Sequence, residues 1–206
     1  MIAHHIHDAL NQVRTLQAFI LERNTFKGYS GKARVVAGLG ALLGALVLGA
    51  PRFPPSPWHH LAGWGIVLAV SIVVNYGALV YWFLCDDRAH RNPVMLRPAL
   101  DALPALAIGA ALSLALIRHG EFDLLFGVWM SLYGLAQVAY RTSLPSEIYY
   151  IGLFYLACGA SCLLLPQVRF TSPWPMGLAF FAGEMAGGTV LIRAHRKTAE
   201  QEETAP

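Results

Sequence analysis

The chain has 206 residues, of which 56% are hydrophobic and only 13% charged. Soluble domains carry about 25% charged residues, so this composition excludes an ordinary water-soluble domain and points to the membrane class. The formal net charge of +3 is small, and no nucleic-acid partner is expected; where the cations sit matters more than their sum.

The first element is an amphipathic helix over residues 6–27. Ile6, Leu10, Val13, Leu16, Ile20 and Phe26 recur at three- and four-residue steps, while Asn11, Arg14, Gln17 and Glu22 fill the other face. It has two readings, a helix lying on the membrane surface and a docking helix for a protein partner. The N-terminus has no apolar core followed by a small-residue cleavage site, so it does not read as a signal peptide. Gly28 to Arg34 reads as a linker. Its GxxGK string lacks the spacing and the Ser/Thr of a phosphate-binding loop, and Lys27, Lys32 and Arg34 are assigned to lipid phosphates at the inner surface.

Six apolar segments follow, near 34–50, 61–84, 96–117, 122–140, 147–165 and 174–193. About 20 residues at a rise of roughly 1.5 Å cross a hydrocarbon core of about 30 Å. The first is rich in small residues, and Gly40 and Gly44 form a GxxxG pair that predicts close helix packing. Pro104 predicts a kink early in the third. Trp58, Trp64, Trp129 and Trp174 fall toward one set of segment ends, and Tyr81, Trp82, Tyr140, Tyr149 and Tyr150 toward the other. These read as two interfacial belts. Cys158 and Cys162, four apart, read as small packing residues.

With the N-terminus inside, the inner segments hold Arg14, Arg23, Lys27, Lys32, Arg34, Arg88, Arg91, Arg97, Arg141, Arg193, Arg196 and Lys197, and the outer loops hold only Arg52, Arg118 and Arg169. That bias predicts cytoplasmic termini in the cell (inner) membrane. Residues 194–206 are polar and predicted to be disordered. The loop Arg52 to Trp58 is echoed by Arg169 to Trp174, and Arg88-Ala89-His90-Arg91 by Arg193-Ala194-His195-Arg196. The echo raises a candidate organisation as three repeated hairpins.

The last segment carries one acid, Glu184, ten residues past Trp174, with Gly183, Gly187 and Gly188 beside it. Ten residues are about 15 Å of helix, half the hydrocarbon thickness. An ionised carboxylate there is costly, so the acid is expected to face the bundle interior, to be neutral, and to lie near a polar group of another helix. Asn75 is the first candidate partner, then Tyr133 or Tyr155. The glycines allow either close helix approach or local unwinding. Two interfacial sets complete the inventory. Asp86, Asp87 and His90 at the inner surface read as helix-end anchors, with an acid–base role on lipid as the sharper alternative. His59, His60, His119, Glu121 and Asp123 at the outer surface match no metal spacing.

The sequence therefore predicts an all-α integral membrane protein: an amphipathic helix and linker over 1–33, a six-transmembrane-helix bundle over 34–193 and a tail over 194–206. Its partners are the lipid bilayer, a candidate protein partner for residues 6–27 and a candidate second copy of itself. No cofactor and no metal are expected. The leading function is passage of a small solute or ion with Glu184 as a protonatable or binding group. The alternative is a membrane scaffold or signalling subunit recruiting a partner through its N-terminal helix. A membrane-embedded enzyme acting on lipid ranks third, because no nucleophile–base pair or metal motif appears.

Overall fold

The computed structural model describes residues 28–85, 103–139 and 144–204. The amphipathic helix over 6–27, Asp86, Asp87, His90 and the start of the third segment lie outside the described residues. Within them, all regular structure is helical: α1 (Gly31–Leu48), α2 (Pro57–Cys85), α3 (Leu103–His119), α4 (Leu125–Ala139, entered through a 3-10 turn over Phe122–Leu124), α5 (Glu147–Leu164) and α6 (Trp174–Thr204). Five of these stretches, α4 counted with its entry turn, are long and apolar enough to cross a membrane, and α3 is an apolar helix of 17 residues.

Several ends differ from expectation for local reasons. Ser30 accepts a hydrogen bond from the Ala33 N–H at 3.3 Å, a helix N-cap that starts α1 inside the supposed linker. Arg34 thereby becomes the fourth residue of a helix. Pro104, read as a kink, is the second described residue of α3, and the residues just before Leu103 lie outside the described ones. Beyond Arg193, where the last span was expected to end, α6 continues to Thr204.

Small residues decide which helices meet. On α1, Arg34, Gly38, Ala41, Ala45 and Leu48 share one buried face, and it lies along α6 in antiparallel register. A methyl placed on Gly188 would sit 2.7 Å from the Gly31 carbonyl oxygen, and one on Gly49 3.4 Å from Trp174 at the opposite end. A second antiparallel pair forms from α4 and α5. There a methyl on Gly134 would lie 2.7 Å from the Gly152 oxygen, and one on Gly127 3.0 Å from the Gly159 oxygen. Backbones this close exclude any side chain and gain dispersion contacts along their length. Among the described residues the α1–α6 and α4–α5 pairings are the most extensive; α5–α6 contacts join the two pairs, and α2 and α3 pack on the outside against α1 and α4. The tightest contacts thus do not run within the consecutive hairpins α1–α2, α3–α4 and α5–α6 that the sequence echo suggests.

The end of the bundle that carries the α5–α6 connection is filled by aromatic side chains. Phe126 packs against Phe170 with ring centroids 4.8 Å apart and against Trp64 at 5.9 Å. Trp64 is 3% exposed, so it is a core residue and not the interfacial anchor it resembles in sequence; Trp58 and Trp174 remain exposed.

Candidate functional site

Glu184 sits on the face of α6 that meets the other three helices of the core, and it is 3% exposed. Glycines make the room. A methyl on Gly38 of α1 would be 2.9 Å from the Glu184 Cβ, one on Gly187 would be 2.6 Å from the Arg34 Cζ, and one on Gly183 would collide with the Tyr155 phenol. The glycines beside the acid therefore serve close approach, and α6 runs through them without unwinding.

Four donors converge on the carboxylate. Arg34 donates from Nε to Oε2 at 2.8 Å and from Nη2 to Oε1 at 2.9 Å, a bidentate pair. Tyr133 on α4 donates to Oε1 at 2.8 Å, and Tyr155 on α5 donates to the same oxygen at 3.0 Å. Gln137, one turn beyond Tyr133, accepts from Arg34 Nη1 at 3.4 Å. The two tyrosine rings meet edge to face with centroids 4.9 Å apart and both rest on Phe180.

This arrangement corrects the expected charge state. The Arg34 fork offers donors only and reaches both oxygens of the carboxyl group, so neither oxygen can donate a proton to it. The geometry is that of an ionised carboxylate neutralised by a guanidinium that stays charged in proteins. The buried side chains of the pair are 6% and 5% exposed, so water contributes little screening. Desolvating two ions is expensive; the bidentate pairing and the phenol hydrogen bonds offset that cost.

The partner expected first is not the partner found. Asn75 donates its side-chain N–H to the Ser71 carbonyl oxygen of its own helix at 2.9 Å, and it is α1, not α2, that brings the polar group to Glu184. Tyr133 and Tyr155 do reach the acid. Arg34 was assigned to lipid phosphates because Lys32 and Gly28 make the segment look like a surface linker. Its position in the same stripe as Gly38, Ala41 and Ala45 was the available signal that it faces a neighbouring helix.

The outer polar set does not assemble. Asp123 accepts from the Phe170 N–H at 2.7 Å. His60 turns inward, is 2% exposed, and has Nδ1 3.1 Å from the Ser56 carbonyl oxygen. Among the described residues no three His, Cys, Asp or Glu side chains come together as metal ligands. The three cysteines are free thiols.

No protein-family model, no curated protein and no solved structure matches this chain. The fold and the network of the described residues thus define its class, a helical protein with apolar helices of membrane-crossing length and a buried ion pair between two of them, and its function rests on the site alone.

Proposed function

We propose that this protein is an integral membrane protein of six spans with both termini in the cytoplasm, and that it passes a small solute or ion with Glu184 as its protonatable group. The observation that carries the reading is where the ion pair lies. Arg34 and Glu184 belong to one glycine-packed helix pair, while Tyr133, Gln137 and Tyr155 belong to the other. A charge pair inside a membrane domain commonly marks an ion or substrate path. Here the pair lies inside one body, and its hydrogen bonds to Tyr133, Tyr155 and Gln137 cross the seam to a second body; each body packs more closely within itself than against the other. Protonating Glu184 removes the charge that holds Arg34 and weakens both phenol hydrogen bonds at once, so the seam loosens where a solute would cross. Rocking of paired units about a central site is a known route to alternating access.

The test is reconstitution in proteoliposomes with a trapped pH dye. A panel of small solutes applied outside should include one that drives proton movement, and Glu184→Gln should abolish that movement while eluting as the same monodisperse species. A Glu184→Gln protein with wild-type flux removes the acid from the mechanism.

A second reading is supported by a specific observation. The carboxylate is closed off and filled by four donors, as suits a permanent structural lock in a scaffold or signalling subunit. On this reading residues 6–27, which directly precede α1, recruit the partner. Deleting residues 1–27 retains Ser30, the cap of α1, and should leave a folded bundle. The scaffold reading expects that deletion to abolish partner capture with the bundle intact; the passage reading expects solute-driven proton movement to survive it.

A further inference from the structure

We infer that the cradle formed by Arg34, Tyr133 and Tyr155 is a receptor for a small monocarboxylate anion, which occupies it in place of Glu184 when Glu184 is protonated. This rests on the passage reading above and names the class of its solute.

The argument starts from the donors. Arg34 Nε and Nη2 and the hydroxyls of Tyr133 and Tyr155 lie 2.8–3.0 Å from the two oxygens of one carboxylate. A planar guanidinium fork with two phenols recognises the carboxylate group itself. Nothing in the set distinguishes the Glu184 side chain from another carboxylate in the same place. Glu184 is, in chemical terms, a tethered ligand of a site contributed by three other helices.

Charge then dictates what must happen when the tethered ligand leaves. With Glu184 ionised, the site sums to zero. A proton taken up on a Glu184 oxygen leaves the Arg34 guanidinium as an uncompensated cation in a buried setting. Among the described residues, the other side chain that accepts from it is the neutral carboxamide of Gln137, at 3.4 Å. An unpaired buried charge is strongly destabilising, so the protonated state is stable only if an anion arrives with the proton. One proton on Glu184 and one monovalent anion on Arg34 restore neutrality. Release of both on the other side lets the Glu184 carboxylate return to the guanidinium. The anion must be small, because Tyr133, Tyr155 and Phe180 wall the cradle with rings about 5 Å apart.

The test is chemical rescue. Glu184→Ala removes the tethered carboxylate and opens a space of its size, and such spaces take up small molecules that match them. Purified Glu184→Ala is melted in detergent with sodium formate or acetate, and with acetamide and sodium chloride as neutral-isostere and salt controls. The expected result is a saturable rise in melting temperature with the carboxylates alone, about 3–6 °C at roughly tenfold above Kd. It should be absent from wild type and from Arg34→Leu/Glu184→Ala. If Glu184→Ala does not fold, Glu184→Gln serves, since it stands for the protonated acid and leaves the Arg34 charge uncompensated; carboxylate should stabilise it more than acetamide does. A folded variant that responds equally to acetate and acetamide overturns the receptor, whatever the flux measurement shows. Carboxylate rescue with no panel solute driving proton movement above the level of protein-free liposomes, which acetic acid crosses unaided, would keep the receptor and overturn the passage reading.

Discussion

The ion pair can be weighed by a double-mutant cycle on Arg34→Met and Glu184→Gln. Glu184→Gln keeps one oxygen for the two phenols and for Arg34 Nη2, but it turns an NH2 group toward Arg34 Nε, where the carboxylate oxygen now accepts at 2.8 Å. Two donors face each other and the guanidinium is uncompensated, with its partner side chain only 5% exposed. Breaking a buried pair from one side costs about 3–5 kcal/mol. Arg34→Met leaves the carboxylate with only the two phenol donors and costs a similar amount. In the double variant neither charge remains. The main loss is an unpaired carboxamide N–H, about 1–3 kcal/mol, so the coupling between the two substitutions should be at least about 3 kcal/mol. Thermal unfolding in detergent reads this out, with a thiol-reactive dye reporting on Cys162, which is 8% exposed, in a background where the exposed Cys85 and the half-buried Cys158 are serine. For a chain of this length 1 kcal/mol corresponds to about 2–4 °C, so each single variant should melt roughly 6–20 °C below wild type, and the double variant above both. If Glu184→Gln lies within about 0.5 kcal/mol of wild type and the double variant equals the sum of the singles, Glu184 is not an ionised partner of Arg34, and the charge argument for a carboxylate receptor fails with it.

Other outcomes follow from the same geometry. Gly152→Val should separate α4 from α5, because even its Cβ would lie 2.9 Å from the Gly134 oxygen and 3.0 Å from the Val138 nitrogen; overpacking of this kind costs about 1–3 kcal/mol, read as a lower melting temperature. Gly40→Ala and Gly65→Ala are the controls, since nothing lies within 4 Å of a methyl at either position; the gain in helix propensity should hold or raise stability by up to about 1 kcal/mol. Tyr133→Phe deletes one hydrogen bond to a charged acceptor and should lower stability by about 1.5–3 kcal/mol while preserving elution volume. For orientation, a membrane-impermeant thiol reagent applied to sealed cells should label a cysteine at Ser56 or Ser172 but not at Ser30; labelling at Ser30 would reverse the topology.

The apolar composition, the spacing of the segments and the position of Glu184 were legible in the chain by itself, because a lipid-facing helix needs only length and hydrophobicity, properties of a contiguous stretch. Close packing around glycine was also legible in kind, through Gly40 and Gly44 and the glycines beside Glu184. Which glycines would meet was not. The tight contacts use Gly188 near Gly31 and Gly134 against Gly152, and Gly40 faces open space. Tyr133 and Tyr155 were among the expected partners because a phenol within an apolar segment needs an acceptor wherever it lies. Asn75 failed as a partner because an asparagine can satisfy itself on the preceding turn of its own helix, as it does with Ser71. Arg34 was hidden because four residues of linker-like sequence turn out to be the first turn of a helix, and a cation near a helix end reads as a lipid anchor until its neighbour is known. Sequence determines which residues cannot stay in hydrocarbon alone. Only the tertiary packing of α1 along α6, with α4 and α5 closing the seam, decided that the answer for Glu184 was a buried guanidinium 150 residues away, because the choice of helix neighbours depends on matching surfaces that no single stretch contains.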